Sequence, residues 1–493
     1  MRNKILHPFE EYQAAMTRRS FFGKMAKGVG AAALSTMINP SLLFGSNSLN
    51  VPFQNELGLP HFPPKAKRVI YLFQSGAPSH VDLFDYKPML RKWHGKQIPD
   101  ELTNGKRFST MTGGQTDRPI IGAISNFAQH GQSGAWVSDF MPETAKVVDD
   151  LCFIKSMHTE SVNHAPAITF FLTGGEQPGR PSMGSWLTYG LGSMSKDLPD
   201  FVAMTSADKQ ASCGQIFYDY YWGSGFLPSK FQGVKFRGGG DPVLYLKNPE
   251  GMSRAMRRKM LDDMQALNEM NYQDFGDPEI NTRISQYEMS YKMQMSVPEL
   301  TDFSDEPQHV LDMYGPDVRR KGSFAYNCIM ARRLAERGVR FTQCMHAGWD
   351  QHSNLNNQLK IQCEDTDRPS AALIKDLKQR GMLEDTLVVW GGEFGRTPFL
   401  QGNINDVKHW GRDHHPYVFT MWMAGGGVKP GISYGASDDF GFNPIENPVH
   451  VHDFQATMMH LMGINHEHFT YKHQGRRFRL TDVHGNVVKD ILS

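Results

Sequence analysis

Short apolar runs alternate with amphipathic stretches along most of the chain. The run "KRVIYLF" (Lys67 to Phe73) is β-branched and aromatic without polar alternation, the pattern of a strand buried on both faces, and "QSGAPSH" breaks it with Gly and Pro. Similar runs occur at "LCFIKSM", "FVAMTS", "VRFTQCM", "TLVVWGG" and "YVFTMWMAGG". Between several of them lie helical stretches such as "SFAYNCIMARRLAERG" and "RPSAALIKDLKQRG", each apolar on one face and closed by a glycine suited to a C-cap. This alternation predicts an α/β fold with a mostly parallel central sheet covered by helices, and places ligands at the carboxyl ends of the strands.

Two stretches break the alternation. Residues of roughly 90 to 140 are glycine-rich and polar, which suggests a long excursion over the active edge. "EGMSRAMRRKMLDDMQALNEMNYQDF" and "INTRISQYEMSYKMQMSVPEL" are Met-rich with a helical period, which predicts a helical insertion near 250–300 whose methionines pack as core. At the start, "TRRSFFGKMAKGVGAAALSTMI" sets Arg18 and Arg19 before two phenylalanines and a small, mildly apolar stretch, the pattern of a twin-arginine export signal. The expected organisation is a signal segment over 1–40, a linker rich in Pro, Ser, Asn and Gly over 41–65, and one domain over 66–493. No later segment reaches the roughly 18 apolar residues needed to span a bilayer, so the mature part is expected to be soluble and periplasmic or extracellular.

Charge narrows the partners. With 52 basic and 51 acidic side chains in 493 residues the formal net charge is +1, which disfavours a nucleic-acid or general polyanion binder. The five cysteines, Cys152, Cys213, Cys328, Cys344 and Cys363, are scattered and odd in number, without the CxxC spacing of a thiolate zinc site. The 20 histidines are more informative, because many fall in the last third beside Asp and Glu.

Five polar clusters follow or precede the predicted strands. "RFTQCMHAGWDQH" ends a strand with Asp350 and His352 two apart, which in an extended segment puts both on one side, a donor pair suited to a divalent metal. "TLVVWGGEFGRTP" delivers Glu393 and Arg396 past two glycines: a carboxylate ligand and an Arg fork able to receive an anionic oxygen, or an ion pair capping the next turn. "KHWGRDHHPYVF" crowds His409, Arg412, Asp413, His414 and His415 before a strand, and at least one is expected to be a ligand. "SVNHAPAITFFLTGG" places Asn163 and His164 where a helix begins. "QSGAPSHVDLFDYKP" sets Ser75, Ser79, His80, Asp82 and Asp85 after the first strand. "GISYG" (Gly431 to Gly435) spells G-x-S-x-G without the strand and helix of a nucleophile elbow, and no P-loop, GxGxxG or HExxH motif is present.

Together "RVIYLFQSGAPSHVDLFDYKP", "NHAPA", "GWDQHSN", "GGEFGRTP", "GRDHHPY", "VHVHDFQATMMHLMGI" and "YKHQGRRFRLTDVHG" resemble the bacterial DUF1501 family, sulfatase-like proteins assigned to the alkaline phosphatase superfamily. The resemblance runs from about residue 60 to the end. It implies an alkaline-phosphatase-like α/β sandwich with helices on both sheet faces and a metal-assisted sulfate or phosphate ester site at the strand ends. In that pattern "HAPAITFFLTG" is similar to the sulfatase signature C/S-x-P-x-R-x-x-L-x-T-G, with His164 in the nucleophile's place and Ile168 where the Arg would stand. "WDQH" looks like the first metal's Asp and His; "GGEFGR" is similar to the second metal's Asp-His, with Glu393 and Phe394 substituting; His415 resembles the later metal histidine. His80 or Asp82 stands in for the metal Asp after the first strand.

The resemblance thus implies an exported hydrolase of sulfate or phosphate esters, on small molecules or polysaccharides. A divalent ion (zinc, calcium or manganese) would be held by Asp350, His352, Glu393 and His415, with Asp82 and His80 as further donors. His164 and Asn163 would act at the reacting centre, with Arg396 on the anion. The rival expectation is a non-catalytic carbohydrate- or partner-binding protein on the same fold.

Overall fold

In the computed structural model, which describes residues 58–207, 217–239, 241–243 and 246–493, the buried runs become the strands of one large sheet. The expected signal over 1–40, the linker as far as residue 57, and Cys213 lie outside the described residues. Among the described residues the sheet has nine strands: β1 Arg68–Ser75, β2 Leu151–His158, β3 Phe201–Ala207, β4 Val234–Phe236, β5 Phe341–Ala347, β6 Thr386–Gly391, β7 Phe419–Ala424, β8 Ile432–Tyr434 and β9 Val449–His450. Their order is β8-β2-β7-β6-β1-β5-β3-β4, with β9 also pairing β2.

Eight strands run the same way, and β7 alone is reversed. The register of β1 is parallel on both sides, Val69 opposite Phe341 and Leu387, whereas β7 pairs antiparallel with β6 and β2. Side chains alternate in β1: Ile70 and Leu72 enter one core, and Val69, Tyr71 and Phe73 enter the core on the opposite face. Each core is closed by helices. α1 (His164–Thr173) and α2 (Met183–Leu191) contribute Phe171 and Trp186 to the second, while α5 (Phe324–Glu336) and α6 (Leu355–Gln379) contribute Ile329 and Leu373 to the first. A mostly parallel sheet layered between helices is therefore what the alternation of runs produces.

The chain divides into two compact units. The larger comprises 55–261 and 282–493, which includes the whole sheet. The described part of the smaller is 262–281, where the helices α3 (Arg254–Phe275) and α4 (Pro278–Thr301) meet at a turn through Gly276. This is the expected helical insertion, but its methionines do not all pack as core. Met293 is buried, whereas Met256 of α3 and Met295 of α4 are at least half exposed; in α4 the apolar residues are spread around the helix rather than gathered in one stripe.

The polar excursion near 90–140 is organised. It forms an antiparallel ribbon, Phe127–His130 with Ala135–Ser138, and Ile120 bridges Phe399 beyond β6. Ser433 of "GISYG" sits within β8 and not at a strand-to-helix turn.

Candidate metal centre

The parallel strands bring their carboxyl ends to one edge. β1 ends at Ser75 and leads into Gly76, β5 continues through Gly348 and Trp349 to Asp350, and β6 continues through Gly392 to Glu393. β2 leads through 159–163 into His164 at the start of α1. Because β7 is reversed, its preceding segment arrives at this same edge, and His414–His415 pair there with Gly395–Arg396. Glycine is needed where these ends touch. Gly76 has φ +105°, and a Cβ there would lie 2.6 Å from the Asp350 nitrogen.

Four side chains converge on one spot. Asp350 Oδ1 lies 3.0 Å from His164 Nε2, 2.8 Å from His352 Nε2 and 3.5 Å from His414 Nε2, and the His352 and His414 Nε2 atoms are 3.0 Å apart. The four donor atoms all lie within 4.8 Å of one another. Asp350 and His414 are buried, and His164 and His352 keep a small exposed fraction, so the centre opens to solvent on one side.

The opposite ring nitrogens decide what the convergence means. His414 Nδ1 donates to Val162 O at 2.7 Å, His164 Nδ1 to Glu393 Oε1 at 2.6 Å, and His352 Nδ1 to Gln401 Oε1 at 2.6 Å. Each neutral ring therefore carries its hydrogen on Nδ1 and turns an Nε2 lone pair toward the carboxylate. Three lone pairs facing one carboxylate oxygen repel unless a positive charge lies among them. His164 Nε2 has no hydrogen bond, being out of line with Asp350 despite its distance. Imidazole rings fixed by oxygens at the far nitrogen, with a carboxylate completing the set, are the donor chemistry of a zinc-type site, so the residues fit a divalent ion.

Titration behaviour without an ion follows the same geometry. Burial pushes the His414 ring down to about 4 against the pull of Asp350. Burial alone would lower His164 as well, but the two carboxylates beside it, Asp350 and Glu393, outweigh it and raise its pKa. Burial would raise Asp350, yet Arg396 and the three histidines hold its carboxyl far below the usual range. A positive charge is wanted at this spot, whether proton or cation.

The expected residues are distributed differently from the motif reading. Asp350 and His352 are in the cluster, and His164 joins them as a donor. Glu393 is one step back: its Oε1 accepts from His164 Nδ1 and from the Gly76 N–H at 3.0 Å. Arg396 does not reach an open site. It is 1% exposed, and its fork donates to the carbonyls of Ala77, Gly76, Trp349 and Arg412 and to Asp350 at 2.6 Å, clamping three loops together. His415 points away, its Nε2 2.7 Å from Phe442 O and its ring stacked on His80, whose own Nε2 meets Gly441 O at 2.9 Å. Asp82 takes both branches of the buried Arg412 guanidinium, at 2.7 and 3.1 Å, and so serves as its counter-ion. Asn163 is the exposed N-cap of α1 and makes no side-chain cap bond.

The residue that motif matching passed over is His414. Consecutive residues of an extended segment face opposite ways, so only one of "HH" can enter the cluster, and the antiparallel register with Arg396 selects His414. Asp413 anchors it from behind: its carboxylate accepts from Ser109, Thr112 and the His414 N–H, which is how the 90–140 excursion reaches the site.

The chain belongs to the DUF1501 family, described as a protein of unknown function, whose model matches residues 66–492. No curated protein matches the sequence. Among solved structures it is similar to the PsFucS1 sulfatase from Pseudoalteromonas sp., at 12% identity over 82% of this chain and 68% of that one, with a TM-score of 0.32. It is also similar to the alkaline phosphatase from the Antarctic bacterium TAB5, at 12% identity over 73% and 92% of the two chains, TM-score 0.30. A third is the phosphonate monoester hydrolase SpPMH from Silicibacter pomeroyi, at 10% identity over 80% and 73%, TM-score 0.30.

Proposed function

We propose that the protein is an exported, metal-dependent hydrolase of sulfate or phosphate esters. The observation that carries the metal is the set of three imidazole Nε2 lone pairs and one carboxylate oxygen directed at a common point, each ring fixed by an oxygen at its Nδ1. Asp350, His352 and His414 would hold the ion, three protein donors that leave a position open. A bound divalent cation supplies Lewis-acid polarisation of an anionic ester oxygen.

His164 has a different part. Glu393 fixes its ring by Nδ1 and leaves Nε2 directed at the reacting position, the arrangement of an imidazole that carries a proton to or from a leaving group. Phe394 stacks on that ring at 4.9 Å and excludes water from one side. The ester class rests on the motif resemblance, and the export route on the Arg18–Arg19 pattern.

One observation favours the rival, a metal-binding member of the fold that binds its ligand without turnover: the guanidinium of Arg396 is fully engaged inside the protein. Turnover separates the two. Aryl sulfate and aryl phosphate esters should be hydrolysed by the metal-loaded protein, with loss on chelation and at least 100-fold loss in D350A and H352A. Stoichiometric metal with no hydrolysis of either ester supports the binding protein instead.

A further inference from the structure

A second constellation of histidines lies at the C-terminal end of α1, the end away from His164. The segment after β2, the C-terminal end of α1 and the start of α7 (Val451–Leu461) wall a cavity of about 560 Å³, lined in part by Glu160, Phe170, Arg180, His452, Asp482 and His484. A neighbouring hollow of about 390 Å³ shares His450 and His484 with it, so the two flank one ridge. The rings form a row: His158 to His450 at 5.2 Å, His450 to His452 at 5.2 Å, and His452 to His484 at 5.3 Å, the last pair nearly parallel.

Hydrogen bonds fix the protonation of this row. Gln455 Nε2 donates to the carbonyls of Phe170 and Phe171, at 3.2 and 2.9 Å, so its Oε1 is the atom that faces His452 Nδ1 at 3.0 Å and accepts from it. His452 is 3% exposed, and its Nε2 is left as an unprotonated acceptor with no hydrogen bond inside the protein. Burial holds that ring neutral by pushing its pKa to about 4. His450 accepts the His452 N–H at its Nδ1 and donates from Nε2 to Glu160 Oε1 at 2.8 Å, leaving the other Glu160 oxygen toward solvent.

The charge of the wall selects among ligands. Asp482 is paired to two guanidiniums, Arg180 in the wall at 2.9 Å and Arg476 beyond it at 2.5 Å, which leaves the carboxylates of Glu160 and Glu176 without a cationic partner in the wall, so sulfate, phosphate and carboxylate groups are disfavoured. A metal is disfavoured as well, because among the described residues only the strand-end cluster brings three donor atoms within 4.8 Å. What remains is a ligand that donates hydrogen bonds and presents an apolar face. The exposed His484 ring lying parallel to His452 offers that face, and His452 Nε2 and the carboxylates offer acceptors.

We propose that this cavity binds an uncharged sugar ring, adjacent in a glycan to the unit that carries the ester. His452 Nε2 and Glu160 accept hydroxyl hydrogen bonds, and His484 packs on the C–H face of the ring. α1 joins the two sites: Phe170 is six residues beyond His164, about 9 Å along the helix axis. The assignment of a glycan ester rests on the hydrolase reading of the metal centre; the sugar site itself is tested without it.

The test is calorimetric titration of the full chain in EDTA with neutral hexasaccharides of glucan, mannan, galactan and xylan type and with their fully sulfated counterparts. At least one neutral series should bind, its sulfated form at least tenfold more weakly, and H484A and E160Q should each weaken binding about tenfold without moving Tm. D350A should bind the sugar as the parent does, so loss of ester turnover alone leaves this site standing. The proposal is overturned by no binding to any neutral series, by preference for the sulfated forms, or by binding unchanged in both variants. A second equivalent of zinc that H484A removes would make the cavity a cation site and overturn it too.

Discussion

Glu393 bears on the metal centre through His164, and its charge is the part that matters. In E393Q an oxygen can still accept from His164 Nδ1, but the carboxylate that fixes the tautomer and raises the ring's basicity is gone. Because His164 is read as the proton-carrying imidazole and not as a ligand, E393Q should lower ester hydrolysis by the metal-loaded protein on the order of 100-fold while metal affinity, read by competition with a chromophoric chelator, stays near the parent's; unchanged turnover would remove Glu393 from the centre. Asp82 answers a contrasting question. As counter-ion of Arg412, both partners 0% exposed, it should cost about 3–5 kcal/mol in urea denaturation when replaced in D82A, while folded protein keeps its metal. Metal loss without destabilisation would restore Asp82 as a ligand. Individual donors were only partly legible in the chain. Asp350 and His352 were legible as a donor pair close in sequence, although the chain between them turns tightly, with the His352 backbone N–H on Asp350 O, and is not the extended segment expected; the choice between His414 and His415 depends on a pairing with Arg396 that joins segments remote along the chain.

At the scale of elements, the continuous apolar runs were the readable part. "KRVIYLF", "LCFIKSM", "FVAMTS", "VRFTQCM", "TLVVWGG" and "YVFTMWMAGG" all contain strands of the central sheet, because length and β-branching mark a strand buried on both faces. β4, β8 and β9 have two or three residues each, too few for a period, and exist through their pairing with longer neighbours. The reversal of β7 was equally hidden, since only the hydrogen-bond register shows it, yet it carries His414 to the edge where the donor side chains meet. A buried histidine in β5 provides a test at this scale. His346 lies between Ser206 Oγ and Gln362 Oε1, each at 3.0 Å, and burial lowers its pKa from 6.5 to about 4. Below pH 6.5 the unfolded chain takes a proton that the folded chain refuses, so stability falls with acidification down to about pH 4, by about 3 kcal/mol in all. Urea midpoints between pH 7 and 4.5 should drop less in H346N than in the parent; identical slopes would show that this ring does not titrate as its burial requires.

For the molecule as a whole, the parallel sheet explains why residues from five separate segments meet. Strands that run one way deliver their ends to one edge, and the clusters read in the sequence after each strand gather there as a consequence of topology. The near-neutral charge fits a site whose electrostatics are local, confined to a few buried histidines and carboxylates. No described helix is long and apolar enough to cross a membrane. The most direct measurement is the metal content of the full chain, purified without chelator, with X-ray absorption at the metal edge. One divalent ion per chain is expected, with nitrogen and oxygen neighbours at about 2.0–2.2 Å, lost in D350A and H414A and retained in H415A. A metal-free protein that takes up no ion on addition, or an ion retained in H414A and lost in H415A, would contradict that expectation.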